Sequence, residues 1–292
     1  MAEPDVVVLS PHLDDAVLSL GALVARLAAE GRRVEVWTAF SAGPDPAGLP
    51  RRWRPFADYE VRLAEDDRAL TLLGALPRRL ALWEWVWRAP AGPGRLTAFR
   101  PPPTVDGLGC LPQLTDALEP VLAAGDVEVY APLGVGQHAD HLEVAVAALL
   151  AAGAAGALDR VAFYEDFYAL AEPFRRQHPV TRRAPVPRHR SPGLAAPAFE
   201  ATLLVLARLA SDRRRSPRLD QYVPSARSMS WHWEARDVTG YEPAKLAAVA
   251  QYGSQVSRLG GQRRLEAVLR RAHRTRGGEI LWRVNNRSPS TG

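Results

Sequence analysis

An uninterrupted apolar run, Val6 to Leu9, is followed at once by Ser10-Pro11-His12-Leu13-Asp14-Asp15 and then by the periodic apolar segment Val17 to Leu27. A β-branched run without polar alternation reads as a strand buried on both faces, and the apolar periodicity behind it reads as a helix packed against that strand. Gly31 stands where a helix closes, and Val34 to Phe40 is a second run rich in strand formers. Strand, helix and strand within about forty residues imply a right-handed parallel crossover.

The alternation continues along the chain. Ser41 to Pro50 reads as a loop, Tyr59 to Leu73 as a helix ending at Gly74, Leu80 to Trp87 as a strand and Pro90 to Pro103 as a loop. Leu111 to Ala123 then reads as a helix, Val127 to Ala131 as a strand, Asp140 to Ala152 as a helix and Arg160 to Tyr164 as a strand. This order predicts an α/β fold, a Rossmann-like three-layer sandwich with a mainly parallel sheet, over residues 1–170. Residues 171–292 read as a C-terminal extension packed on that core and supplying walls of the site. Pro173 to Pro197 is rich in proline and arginine, Phe199 to Ala210 looks helical, Glu279 to Val284 adds a late strand, and Asn285 to Gly292 is a frayed tail.

Composition narrows the function classes. With 47% apolar and 24% charged residues among 292, the chain has the profile of a globular protein. The net charge is +5, but Lys245 is the only lysine and the arginines are dispersed, which speaks against a nucleic-acid partner. No stretch approaches the roughly 20 apolar residues of a membrane span, so no integral membrane segment is expected. Met1 to Asp5 has no basic segment ahead of an apolar one, and Cys110 is the single cysteine, so a reduced, cytoplasmic setting is the expectation.

Ligands of open parallel sheets collect at the carboxyl ends of strands. Two such loops carry ligand-type side chains: His12, Asp14 and Asp15 after the first strand, and His138, Asp140 and His141 after the Val127 to Ala131 strand. His and carboxylate ligands with an open position for water are what zinc hydrolysis requires, so His12, Asp15 and His141 form the expected metal set. Asp14 is then placed to accept a proton from water, and protonated His138 to steady a tetrahedral oxyanion or protonate a leaving amine. Asp140 is the expected partner fixing the orientation of His138. A helix-capping role is the alternative for Asp14 and Asp15.

Pro11-His12-Leu13-Asp14-Asp15 with Leu18 and Ser19, paired with His138-Ala139-Asp140-His141, resembles the PIG-L/LmbE-type zinc de-N-acetylases. That family includes deacetylases of N-acetylglucosaminyl-phosphatidylinositol, of the mycothiol precursor and of glycopeptide and aminoglycoside antibiotics, together with mycothiol conjugate amidase. The resemblance implies zinc on His12, Asp15 and His141, with Asp14 as general base and His138 as the electrostatic or acid partner. Arg62 and Glu65, followed by Leu72-Leu73-Gly74, and the segment Tyr164-Glu165-Asp166-Phe167 extend it over residues 5–170. It makes Arg62 a candidate for binding a sugar hydroxyl or phosphate, with Glu65 positioning it; a surface pair of Arg62 with Asp66 is the alternative. Many members have a glutamate where this chain has Ala16, and some have a tyrosine where it has Gly136.

Trp83, Trp85 and Trp87 alternate at period two, which places three indoles on one strand face, as core or as a platform for a sugar or aryl group. His232, between Trp231 and Trp233, reads as packed or exposed rather than as part of the pocket, and Arg213 to Arg215 with Arg218 as a solvated surface. The expectation is a metal-dependent amide hydrolase removing an acetyl or longer acyl group from an amino sugar within a glycoside or glycoconjugate. Zinc is the expected ion, with iron and cobalt able to use similar ligands. The alternatives are an amidase of a thiol conjugate and a non-catalytic relative that binds a glycoconjugate.

Overall fold

A computed structural model of the chain describes residues 3–285 except 91, 95 and 184–217. The helix expected at Phe199 to Ala210, the run Arg213 to Arg215 and most of the tail expected at Asn285 to Gly292 lie outside the described residues.

The opening motif folds as its pattern dictates. Strand β1 (Val6–Ser10) is buried throughout, helix α1 (Asp15–Ala29) follows, and β2 (Val34–Thr38) pairs parallel to β1 with Val8 opposite Val36. Helix α2 (Tyr59–Leu73) ends at Gly74, whose φ of 72° supplies the left-handed closing residue. Strand β3 (Leu76–Arg79), helix α3 (Trp85–Arg88), helix α4 (Leu111–Ala124), strand β4 (Glu128–Pro132), helix α5 (Ala139–Ala154) and strand β5 (Val161–Tyr164) complete the parallel part.

The sheet has seven strands in the order β3-β2-β1-β4-β5-β7-β6, where β6 is Ser230–Arg236 and β7 is Glu279–Asn285. Pairing is parallel from β3 to β5, and antiparallel between β5 and β7 and between β7 and β6. From β1 the chain runs outward through β2 to β3, then returns to place β4 on the other flank of β1. The crevice beyond the carboxyl ends of β1 and β4 is therefore the switch point at which such sheets bind ligands.

One strand differs from expectation. The third strand is Leu76–Arg79 rather than Leu80 to Trp87, and Ala81, at φ 56°, breaks extension just beyond it. An edge strand tolerates Pro77 and the arginines Arg78 and Arg79, so it carries no apolar signature. The three tryptophans consequently share no strand face: Trp83 makes an isolated bridge to Ala42, and Trp85 and Trp87 lie in the short helix.

The late strands fasten the C-terminal part of the chain to the first helix. Helix α1 breaks at Leu20, where φ is −126°, and the amides of Ala22 and Leu23 donate to the two carboxylate oxygens of Glu279 at 3.0 and 2.8 Å. Glu279 in turn pairs with Lys245 Nζ at 2.8 Å, both side chains being 1% exposed. A helix interrupted by an inserted carboxylate satisfies the amides that the break frees, and the lysine compensates the buried charge.

Beside the end of β4, His178 is buried, its Nε2–H donating to the carbonyl of Leu133 at 3.1 Å. Burial pushes this imidazole down to about 3. The unfolded chain binds the proton near pH 6.5 and the folded chain does not, so stability falls as pH drops through the window from 6.5 to about 3. The limit is about 1.4 kcal/mol per pH unit. His178→Gln is expected to flatten the dependence of unfolding free energy on pH between 6.5 and 4, measured by urea titration; an unchanged slope counts against a neutral buried ring.

Candidate active site

Backbone geometry in both loops is fixed locally. After β1, Ser10 Oγ donates to the carbonyl of His12 at 2.5 Å and accepts from the amide of Ala16 at 3.0 Å, pinning the turn into α1. After β4, Gly134, Gly136 and Gln137 all have positive φ, which swings the chain so that His138 and His141 return toward β1. A Cβ on Gly136 would meet Tyr168 Cβ at 2.6 Å. Tyr168, from the loop after β5, occupies that space, with its ring stacked 6.1 Å from His138 and edge-on 5.4 Å from His141.

Asp15 is the hub of the first cluster. Its Oδ2 lies 2.9 Å from His12 Nδ1 and 3.1 Å from His141 Nε2, and also accepts the amide of His12 at 2.9 Å. The far nitrogen of each imidazole is held by another carboxylate. His141 Nδ1–H donates to Asp166 Oδ1 at 2.6 Å, and His12 Nε2 lies 3.0 Å from Asp140 Oδ2. Asp166 is fixed by the amide of Val135 at 2.8 Å. An imidazole whose outer N–H is committed to a carboxylate presents its inner lone pair in a fixed direction, the arrangement of metal-ligating histidines.

Asp140 therefore contacts His12, where the sequence reading expected His138. His138 Nδ1 is 3.9 Å from Asp140 and is buried without a hydrogen-bond partner. A second group of donor atoms, on His12, His138 and Asp140, is also close enough to share an ion. His12 belongs to both groups.

Charges follow from these contacts. Burial would lower His141, but Asp15 and Asp166 outweigh it and raise the ring to about 9. Burial raises Asp15, but His141 and His12 prevail and hold it well below the carboxylate range. His138 is held well below the imidazole range by burial and by the neighbouring His12 and His141. Asp14 stands at the N-cap of α1 without making a side-chain capping bond. Burial and Asp15 push Asp14 up to about 6 against the opposing pull of Arg62 and His12.

Arg62, 6% exposed, is not half of a surface pair. Its Nη1 donates to Glu84 Oε1 at 2.6 Å and to the carbonyl of Phe56 at 3.2 Å, and its buried Nε has no hydrogen-bond partner. Tyr59 donates its hydroxyl to the same Glu84 oxygen at 2.8 Å and accepts from Trp87 Nε1 at 3.0 Å. Asp66 instead pairs with Arg79 and accepts from Tyr252, and Glu65 accepts from the amide and hydroxyl of Ser254 at 2.8 and 2.5 Å. His232 is exposed on β6, separated from β4 by β5 and β7. Asp166, Tyr168 and Glu84 join the site without having been assigned roles from sequence. Asp166 alone carried a signal, standing just after a strand in a recognisable segment.

Comparison with known proteins identifies the family and the fold. The profile of the GlcNAc-PI de-N-acetylases (PIG-L) matches residues 7–152, half of the chain. No sequence among the curated proteins matches. Solved structures share the fold across nearly the whole chain. A deacetylase from the biosynthesis pathway of teicoplanin is 23% identical with a TM-score of 0.65, covering 98% of this chain and 99% of its own. The antimicrobial reagent A40926 pseudoaglycone deacetylase is 22% identical with a TM-score of 0.62, covering 98% of each chain. A zinc-inhibited form of teicoplanin deacetylase is 22% identical with a TM-score of 0.63, covering 98% and 99%. With the family's segment spanning both loops of the switch point, the chain belongs to the PIG-L family of GlcNAc-PI de-N-acetylases, hydrolytic enzymes that remove acetyl groups.

Proposed function

We propose that the chain is a zinc-dependent hydrolase that removes an N-acetyl group from an amino sugar within a glycoside or glycoconjugate. The observation that carries this reading is the convergence of His12 Nδ1, Asp15 Oδ2 and His141 Nε2. The donor set of two imidazoles and a carboxylate, all buried and with ligand atoms within 4.8 Å of one another, suits a divalent transition metal. Zinc held by these three residues would lower the pKa of a coordinated water and polarise the acyl carbonyl, the chemistry that amide hydrolysis near neutral pH needs.

The protein's own groups do the rest. Asp14, near pH 6, is ionised at neutrality yet close enough to it to accept the proton of the attacking water and return it to the amine as the C–N bond breaks. His138, packed beside His12 and His141, donates an N–H to the oxyanion that develops on the carbonyl oxygen. Asp140 and Asp166 hold the outer nitrogens of His12 and His141. Arg62, fixed by Glu84, presents a charged donor for a sugar hydroxyl. The structural relatives, a deacetylase of the teicoplanin biosynthesis pathway and the A40926 pseudoaglycone deacetylase, support a glycoconjugate substrate.

Acetate release from an N-acetylglucosaminide, with and without chelator, tests this. Chelator-sensitive release is the expected result. Cleavage of a cysteinyl amide in its place would identify a thiol-conjugate amidase, and glycoconjugate binding without any product would sink the hydrolytic assignment for these substrates.

A further inference from the structure

Arg88, the last residue of α3, belongs to none of the roles above. Its Nε donates to the carbonyl of Trp83 at 2.6 Å, and its Nη2 donates both to Asp140 Oδ1 at 3.1 Å and to Glu143 Oε2 at 2.8 Å. The two carboxylates are 0% and 1% exposed and lie one turn apart on α5. Glu143 Oε1 takes the amide of Cys110 at 2.6 Å, and the amide of Trp85 donates to Asp140 at 2.8 and 3.1 Å. A single guanidinium thus closes the Trp83–Arg88 turn on itself and fastens it to α5.

The carboxylate it fastens is the one that holds His12. Asp140 Oδ1 faces Arg88, while Oδ2 faces His12 Nε2 at 3.0 Å, so the orientation of the first imidazole depends on a frame built from the 83–88 turn. Two buried carboxylates one helical turn apart repel each other, and Arg88 is the cation placed between them. A planar fork can satisfy a carbonyl and two carboxylates at once, which a lysine ammonium on a single stem does not reproduce.

We propose that Arg88 is a positioning residue for the metal centre: by fixing Asp140 it aims His12, and it makes metal affinity depend on how the Trp83–Arg88 turn is seated on α5. The inference rests on the assignment of His12, Asp15 and His141 as the metal set.

The test is zinc affinity, measured by competition with a chromogenic chelator on the full chain. Arg88→Ala is expected to weaken zinc binding about 10- to 100-fold, as loss of outer partners of ligating histidines does. Arg88→Lys is expected to fall between the two, and added guanidinium to recover part of the alanine variant's loss. Arg283→Ala serves as the control for a merely structural effect, since Arg283 pairs with Glu128 and Glu234 elsewhere on the sheet; it is expected to lower the melting temperature and leave zinc affinity alone. Zinc affinity in Arg88→Ala within twofold of the unaltered protein overturns the proposal and leaves the hydrolase assignment intact. Absence of zinc binding by the unaltered protein overturns both.

Discussion

Replacing Asp14 with alanine is expected to lower turnover by about 10²- to 10⁴-fold, the usual contribution of a positioned general base. The zinc content should remain that of the unaltered protein. The division of labour explains the pairing of these outcomes. Asp15 Oδ2 carries the contacts to both His12 and His141, whereas Asp14 makes no capping bond and its carboxyl is held near 6 by burial and by Asp15. Asp14→Asn keeps the size of the side chain and removes its basicity, so it should be as inactive as the alanine variant. Steady-state rates with saturating N-acetylglucosaminide, beside zinc measured by atomic absorption, decide the matter. Zinc lost together with activity would mean that Asp14 holds the ion or its cluster, and the assignment of a base would fail.

The second large effect is expected at His141. His141→Ala removes one of the three proposed ligands and should abolish zinc retention on dialysis together with acetate release. Asp166→Asn should produce a graded version, weakening zinc about 10- to 100-fold, because its contact is with the outer nitrogen of the same ring. At saturating zinc the asparagine variant should regain most of its activity while the alanine variant does not. Equal losses in the two variants would indicate that Asp166 supports the loop as a whole, through its bond to the amide of Val135, rather than the aim of the imidazole.

Much of the fold is legible in the sequence. The β1–α1–β2 unit, the exact span of α2 and the two ligand-bearing loops follow from local pattern, because a fully buried strand and a one-sided helix leave strong periodic signatures. The third strand did not announce itself, because an edge position lets Pro77, Arg78 and Arg79 stand where a central strand would need apolar residues. The tryptophan alternation misled for the opposite reason, since a period of two in sequence does not survive the left-handed Ala81.

Within the site, residue types were legible and partners were not. Asp140 and His138 are two apart, which favours pairing them, yet the contact that forms joins Asp140 to His12 across 128 positions. Arg62 and Asp66 have the spacing of a helical pair, but the buried partner of the arginine is Glu84, 22 residues away on another segment. Such choices are made by the packing of separate loops, and no local spacing encodes them.

The carboxylate of Glu279 inserted into the break of α1 bears on how short this enzyme can be made. A chain trimmed to the segment that matches the family would leave two amides stranded in the middle of the helix that starts at Asp15, with no group to receive them. Trimming just ahead of β7 would also strand the Lys245 ammonium in the interior. The smallest autonomous version of this protein therefore has to run through β7, and chains cut earlier should be insoluble even though every proposed ligand is present.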